Sequence, residues 1–224
     1  MHRDVSRRRF LNLTATVGVA ALASTASAAD APAKGMKIVA VSGSRRKGKT
    51  TATALNVCLE AAKAVAPAEI EVELIELADC KVFPPFAEGP RDDFAPLLEK
   101  VVDPRVAGII LGSPSYFGDM SSHIKAFLER WQDFRKDFRL SNRVGGALAV
   151  GGARNGGQEN VLRSLQLAMF GQEMILVGDG RPTAHYGATL WNNAKDDIQQ
   201  DEFGISTAKN LGRRVAEVAR LVRK

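Results

Sequence analysis

The chain has 224 residues, of which 45% are hydrophobic and 25% are charged, and its formal net charge at pH 7 is +6. This composition is ordinary for one globular domain with a sizeable core. Four arginines and one aspartate lie in the first 28 residues, so residues 29–224 carry a net charge of only +3. The charges are scattered and only two tryptophans are present, which gives nucleic-acid binding little support.

The first 28 residues have the composition of an export signal. A basic start precedes a mildly apolar run, Phe10 to Ala23, and the small residues Ala26-Ser27-Ala28 predict cleavage before Ala29. The run is too short for a bilayer span, which needs about 20 residues. The segment "SRRRFL", Ser6 to Leu11, resembles a twin-arginine signal, and such export implies a protein that folds, often around a cofactor, before it leaves the cytoplasm. We therefore predict a twin-arginine signal peptide at 1–28, a linker at 29–36, a folded domain at 37–224, and a location in the periplasm or beyond.

Short apolar runs alternate with stretches of helical periodicity along the rest of the chain. The predicted strands are Lys37–Ser42, Ile70–Leu74, Val106–Leu111, Ala147–Val150 and Met174–Val177. The second strand alternates with glutamates and is expected at a sheet edge, whereas the third and fourth are apolar throughout, as buried parallel strands are. The pattern predicts an α/β fold, a flavodoxin-like three-layer sandwich with a five-stranded parallel sheet in the order 2-1-3-4-5. Residues 178–202 are predicted to form an irregular surface loop near the site.

The loop after the first strand, "GSRRKGKT" at 43–50, fits the expression G-x-x-x-x-G-K-[ST] of triphosphate-binding loops. Its glycines, cations and hydroxyls, placed before a helix N-terminus, predict a site for a phosphate group. A nucleotide hydrolase would also need an aspartate at the end of a neighbouring apolar strand to hold magnesium. The third predicted strand ends in Gly112-Ser113 and the fourth in Gly151-Gly152, so neither supplies that carboxylate.

Two further loops follow the third and fourth strands, which open onto the same crevice in a sheet of this order. The second loop, "GSPSYFGDMS", offers aromatic faces and free N–H groups to a planar ring. The third loop, "GGARNGGQE", has four glycines where the backbone passes close to another group and then begins a helix. Two core aromatics at a turn and a plain flexible connector are the simpler interpretations of these loops.

The segment Gly112 to Trp131, "GSPSYFGDMSSHIKAFLERW", resembles the corresponding part of the NADPH-dependent FMN reductase and iron-sulfur flavoprotein family, and "GSRRKGKT" is similar to the phosphate loop of that family. The resemblance extends over about Lys37 to Leu176. It implies FMN as cofactor, NAD(P)H or another electron donor, and a homodimer or homotetramer. It also implies three sets of cofactor-binding residues. The phosphate set is Ser44, Arg46, Lys49, Thr50 and Thr51; the ring and ribityl set is Pro114, Ser115, Tyr116, Phe117 and Gly118; the pyrimidine set is Gly151, Gly152 and Gly157.

The chain departs from the iron-sulfur members of that family after the second strand. The segment "ADCKVFPPFAEGPRDD" holds Cys80 alone, and the only other cysteine, Cys58, lies in an apolar helical pattern. A cluster held by four thiolates cannot form, so FMN is predicted to be the only redox centre. We expect no disulfide between the two cysteines. His123 and His185 have no partners at metal-ligand spacing, so neither a metal site nor a catalytic side chain is predicted.

These observations predict an FMN-dependent oxidoreductase that passes hydride or electrons through its bound flavin. An electron carrier without a substrate of its own is the alternative, because pyridine nucleotides are scarce outside the cytoplasm. A P-loop phosphotransferase is the third hypothesis, and the missing strand-end aspartate argues against it.

Overall fold

In the computed structural model the described residues are 35–87 and 91–223. The predicted signal peptide and residues 29–34 of the predicted linker lie outside them. The first strand begins at Met36, one residue before the predicted start of the domain. No helix within the described ranges is both long and apolar enough to cross a membrane.

Strands and helices alternate along the described chain. The strands are β1 (Met36–Ser42), β2 (Ile70–Glu76), β3 (Val106–Pro114), β4 (Val144–Gly151), β5 (Ile175–Leu176) and β6 (Ala188–Trp191). The α-helices are α1 (Thr50–Val65), α2 (Phe94–Val102), α3 (Ser122–Glu129), α4 (Gln132–Arg135), α5 (Gln158–Phe170) and α6 (Glu202–Val222). The helices α3 and α4 are separate because the chain tightens between them, where the Trp131 N–H donates to Leu128 O, three residues back.

The sheet is parallel, and its order β2-β1-β3-β4-β5 confirms the predicted flavodoxin-like α/β arrangement, with β2 at an edge. The sheet also contains β6, which was not predicted. Residues 144–145 of β4 pair with β5, and residues 148–151 pair with β6, so the fifth position of the sheet is shared by two short strands. The prediction of an irregular segment over 178–202 is therefore wrong for 188–191. A run of only four residues has little periodicity of its own, and pairing with β4 makes it a strand.

Helices cover both faces of the sheet, because successive strand residues point to opposite sides. On one face, Ile38 and Ile110 belong to a core that includes Leu55 of α1 and Leu211 of α6. On the other face, Val39, Ile109 and Leu111 pack in a core built with α2, α3 and α5. This is the predicted three-layer sandwich. The strands β1, β3 and β4 are buried along their whole length, so polar groups can reach solvent only at the strand ends.

A loop, residues 177–187, connects β5 to β6. The fully buried carboxylate of Asp179 accepts hydrogen bonds from the backbone N–H of His185 and from the hydroxyl of Thr183. Thr183 in turn accepts from the side chain of Asn210 on α6 at 2.9 Å. His185 also packs edge-on against Phe203. These contacts give His185 a structural role.

The packing of α1 against α6 depends on a glycine. A Cβ atom on Gly212 would lie 1.9 Å from the backbone oxygen of Cys58, so the helices can approach this closely only without a side chain there. We predict that Gly212→Ala lowers the free energy of unfolding by about 2 kcal/mol, because the backbones must separate. Gly171→Ala is the control, since its Cβ would meet nothing nearer than 3.4 Å. Denaturant unfolding measures both variants, and equal midpoints would contradict the prediction.

Candidate functional site

A cleft of about 510 Å³ lies at the carboxyl ends of β1, β3 and β4. All three loops that the sequence singled out contribute to its walls: Arg46 and Thr50 from the first, Pro114, Ser115 and Tyr116 from the second, and Gly151 and Gly152 from the third. This edge is where the strand order reverses between β1 and β3, the usual position of a ligand in an open parallel sheet.

The first loop ends at an uncapped helix. Lys49 is the N-cap residue of α1, and its side chain accepts no hydrogen bond from the first turn. The N–H groups of that turn have no partner within a helix and carry partial positive charge, so they attract an anion. Thr51 is buried, and Ser44 is buried with its hydroxyl bonded to the backbone N–H and carbonyl of Arg46 at 3.0 and 3.2 Å. Ser44 thus shapes the loop, while Arg46 and Thr50 face the cleft.

Two acidic residues beyond β1 hold the first loop in place. The Gly48 N–H donates to a carboxylate oxygen of Glu76, the last residue of β2, at 2.8 Å. Lys47 forms an ion pair with Asp79, and the hydrogen bond and charge of that carboxylate raise the pKa of Lys47. Lys47, although it lies within the motif, therefore points away from the cleft toward Asp79.

Serines connect the second loop to the first. The Ser121 hydroxyl accepts from the Ile124 N–H at 3.3 Å as the N-cap of α3, and it donates to the carbonyl of Gly43 at 2.6 Å. The Ser113 hydroxyl accepts from the Ser121 N–H at 2.9 Å. The two loops can come this close because Gly43 has no side chain, whose Cβ would lie 2.4 Å from Ile124.

The aromatic residues of the second loop are exposed. The backbones of Tyr116 and Asp119 exchange hydrogen bonds of 2.9 and 3.1 Å, which closes a tight turn around Phe117 and Gly118. Both central residues have positive φ, +51° at Phe117 and +82° at Gly118. Tyr116 is half exposed and lines the cleft, whereas Phe117 is fully exposed and does not. Large aromatic surfaces left in solvent at a cleft mouth are typical of a binding site.

The second and third loops are also in direct contact. The Ser115 hydroxyl donates to the carbonyl of Gly156 at 2.5 Å. Gly157 has a φ of +85°, and a Cβ there would lie 2.7 Å from the Cα of Gly118. The buried side chain of Gln158 accepts from the Gly156 N–H at 2.8 Å and donates to the carbonyls of Ala153 and Leu190 at 2.7 and 3.1 Å. The glycine-rich third loop is thus held rigidly, and Gln158 is a structural residue that the predicted set omits.

A fourth segment, residues 192–196, completes the cleft. It belongs to the stretch 178–202 that was predicted to form a loop near the site, but none of its residues was among the predicted cofactor-binding residues. Its residues Asn192, Ala194, Lys195 and Asp196 line the cleft. The N–H groups of Asn192 and Ala194 donate to the carbonyls of Gly151 and Gly152 at 3.0 and 3.1 Å, which continues the pairing of β6 with β4. The Asn192 side chain also reaches the Thr50 hydroxyl at 3.4 Å. Only the polar run that follows the short strand could have indicated this segment.

A carboxylate stands at the cationic end of the cleft. One oxygen of Asp196 lies 2.5 Å from the guanidinium of Arg46, and the other lies 3.6 Å from the ammonium group of Lys49. The two cations predicted to hold a phosphate therefore converge on one point, and an anion occupies that point.

The cysteines and His123 lie outside the cleft. Cys58 is a fully buried free thiol, and burial raises its pKa. Cys80 is also a free thiol, and burial and the nearby carboxylates of Asp93 and Asp79 raise its pKa. The ring of His123 is buried, with Nε2 2.5 Å from the carbonyl of Leu77. No group of three or more His, Cys, Asp or Glu side chains suited to a metal ion occurs among residues 35–87 and 91–223.

The cleft fits a mononucleotide with a planar ring. Its volume falls within the roughly 300–1,000 Å³ of small-molecule sites. An uncapped helix N-terminus and two convergent cations suit one phosphate group, and the Asp196 carboxylate marks where an anion is held. A Cβ on Gly152 would meet nothing within 4 Å, so the third loop leaves open space for a ring beside its backbone.

Comparison with known proteins agrees with this class of fold and site. The described chain resembles a crystal structure of a flavodoxin, WrbA-like protein from Agrobacterium tumefaciens, with a TM-score of 0.58 and 19% identity over 84% of this chain and 98% of that one. An iron-sulfur flavoprotein of Methanocaldococcus jannaschii is 42% identical over 84% of this chain and its own full length. A NAD(P)H dehydrogenase (quinone) of Archaeoglobus fulgidus is 37% identical over 50% of this chain and 58% of its own.

Residues 36–189 match the family model of the NADPH-dependent FMN reductases. The chain belongs to this family, and it is an FMN-binding oxidoreductase with a flavodoxin-like fold. The hypothesis of a P-loop phosphotransferase has no support from these relatives, although the motif in the first loop matches its expression.

The contact between Gly118 and Gly157 generates a prediction about the cofactor. Gly157→Ala places a Cβ against the Gly118 backbone and forces a residue with a side chain to adopt a φ of +85°. We expect FMN affinity to fall about tenfold, because the second and third loops must separate. Asn155→Ala, an exposed position in the same loop, is the control and should bind FMN as the wild type does. Fluorescence titration measures both, and equal affinities would contradict the prediction.

Proposed function

We propose that this protein is a NAD(P)H-dependent reductase that uses FMN as its only redox centre and works outside the cytoplasm. The observation that carries the proposal is the cleft at the carboxyl edge of the sheet, which combines a single-phosphate site with an exposed aromatic turn. The family description and the relative described as a NAD(P)H dehydrogenase (quinone) favour a pyridine nucleotide as the electron donor.

The phosphate of FMN would be held at the first loop. Arg46 and Lys49 would supply charge-assisted hydrogen bonds, and the first turn of α1 would supply backbone N–H groups together with the Thr50 hydroxyl. Ser44 would act indirectly, by holding the loop through its two bonds to the Arg46 backbone. The phosphate would thereby anchor the cofactor at one end of the cleft.

The ring and ribityl chain would lie between the second and third loops. Pro114, Ser115 and Tyr116 would bound one side, and the open backbone at Gly151 and Gly152 would bound the other. Since Gly118 and Gly157 touch and Ser115 bonds to Gly156, these walls cannot close the cleft by moving separately. These residues would thus limit the orientations open to the ring, and hydride transfer between two planar rings needs such positioning.

Bound FMN supplies hydride and electron transfer chemistry. The described side chains around the cleft add binding and orientation. Tyr116 presents an exposed aromatic edge beside the mouth, where a second planar substrate could stack. We therefore assign no side chain of the chain as a catalytic acid or base.

A single redox centre follows from the cysteine count. The whole chain holds Cys58 and Cys80 and no other cysteine, whereas a cubane cluster takes four thiolates. Cys58 is enclosed between α1 and α6 with its pKa raised by burial, so it is not available as a ligand. The protein would thus perform flavin chemistry on a scaffold related to iron-sulfur flavoproteins.

Export by the twin-arginine pathway rests on the sequence "SRRRFL" and the small-residue cleavage site. This pathway suits a protein that acquires FMN before it crosses the membrane. Assembly as a homodimer or homotetramer rests on the family resemblance, and the exposed Phe117, Leu167 and Phe170 offer apolar surface for such contacts.

Anaerobic stopped-flow spectroscopy of the FMN-loaded protein tests the reductase proposal. NADPH or NADH should bleach the flavin absorbance in a saturable manner, and an added quinone should restore it. If neither nucleotide bleaches the flavin while dithionite does, the reductase proposal is wrong and the electron-carrier alternative is favoured. The electron-carrier alternative is retained because pyridine nucleotides are expected to be scarce outside the cytoplasm.

Adjacent arginines allow a matched test of the phosphate site. Arg46 lines the cleft, while Arg45 lines a separate cavity beside Lys81 and Lys125. Arg46→Ala should weaken FMN binding about tenfold, because a charge-assisted hydrogen bond to phosphate is lost, and should leave riboflavin binding unchanged. Arg45→Ala removes the same charge one residue away and should change FMN affinity less than threefold. Equal losses in both variants would show that only overall charge matters.

A further inference from the structure

The fourth wall of the cleft contains a strained turn. Asn193, Ala194 and Asp196 have φ values of +48°, +55° and +58°, in the left-handed region that residues with a Cβ seldom adopt. Two backbone hydrogen bonds to Gly151 and Gly152 hold the start of the turn. Its far end is held at Asp196, whose carboxylate pairs with two cations of the first loop. Strained turns of this kind cluster at ligand clamps and switch segments.

The partners of Asp196 are also the cations assigned to the FMN phosphate. Arg46 Nη1 lies 2.5 Å from one carboxylate oxygen, and Lys49 Nζ lies 3.6 Å from the other. A phosphate dianion at the same two cations would lie within a few ångströms of the Asp196 carboxylate, and like charges at that distance repel strongly. The carboxylate and the phosphate therefore cannot both occupy the position between Arg46 and Lys49.

We propose that Asp196 is an internal competitor for the phosphate subsite: its carboxylate neutralises Arg46 and Lys49 until the phosphate of a flavin mononucleotide displaces it. The inference rests on the proposed function, because it uses the same phosphate subsite. It assigns Asp196 as a residue that sets cofactor affinity and selectivity. Flavins with a terminal phosphate displace the carboxylate, whereas riboflavin has no group that can do so.

The displacement releases the turn as well as the cations. Once the ion pairs break, residues 193–196 are no longer held in the left-handed region by contacts at Asp196, so the wall can move outward. Cofactor entry and movement of this wall are then linked events. Since the side chains of Arg46 and Asp196 are 50% and 35% exposed, water and salt weaken their attraction, and the competition changes affinity without preventing binding.

Asp196→Asn tests the proposal with little structural disturbance. Asparagine has the same shape, tolerates a φ of +58° at least as well as aspartate, and lacks the charge that competes with phosphate. FMN affinity should rise about three- to tenfold at low ionic strength, while riboflavin affinity stays within twofold of the wild type. Isothermal titration of the flavin-free protein with FMN and with riboflavin measures both values.

Asp197→Asn is the matched control. Asp197 carries the same charge one residue further on, its carboxylate accepts from the Gln199 N–H at 2.9 Å, and it forms no ion pair with Arg46 or Lys49 in the described part of the chain. Its FMN affinity should change less than twofold. Asp196→Glu keeps a carboxylate that can reach the cations and should bind FMN within threefold of the wild type.

Several results would overturn the inference. One is an FMN affinity that is unchanged or weaker in Asp196→Asn, because the carboxylate would then assist binding or play no part. Others are an equal gain for riboflavin, or an equal gain in Asp197→Asn, because the effect would then not concern the phosphate subsite. The experiment uses no pyridine nucleotide, so a failure of the reductase proposal in stopped flow leaves its result unaffected.

Discussion

The site depends on the first turn of α1, whose N–H groups lie at the carboxyl end of β1 and are not capped by the side chain of the N-cap residue Lys49. These N–H groups lie at the cleft and carry partial positive charge, so an anion bound in the cleft would satisfy them. Hydrogen bonds from the Gly48 N–H to the Glu76 carboxylate and from the Ser121 hydroxyl to the Gly43 carbonyl hold the first loop in place. The rest of the cleft is arranged around this anion position.

Cross-bonding between segments that are distant in sequence makes the cleft rigid. Ser121 joins the second loop to the first, Ser115 joins the third to the second, and Asn192 joins the fourth segment to both the first and the third. Three of these bonds are accepted by backbone carbonyls, those of Gly43, Gly151 and Gly156, and therefore pair main-chain groups at the edge of the cleft. Among residues 35–87 and 91–223, the ion pairs of Asp196 are the contacts between cleft walls that depend on side-chain charge, so we expect the fourth segment to respond most to a bound phosphate.

The segment after β2 bears on the proposal that FMN is the only redox centre. The segment after β2 that holds Cys80 lies beside the first loop, where Asp79 engages Lys47. A protein with FMN as its only redox centre, as we propose, needs no cluster ligands in this segment, and the cleft does not depend on it, because the cleft is built from the ends of β1, β3, β4 and β6. A single flavin can therefore be kept on this scaffold while the neighbouring segment changes.

The amino-acid sequence determined the strand order, the edge position of β2 and the three loops of the cleft, because hydrophobic periodicity and glycine-rich junctions are local signals. It also identified Arg46, Thr50, Tyr116 and Gly151 as residues of one region. It placed a loop, residues 178–202, near the site, but the tertiary structure alone decided that β6 forms within it, which of its residues line the cleft and that Asp196 pairs with Arg46 and Lys49. These features arise from pairing with β4 and from ion pairs between residues about 150 positions apart, and no local pattern encodes such contacts.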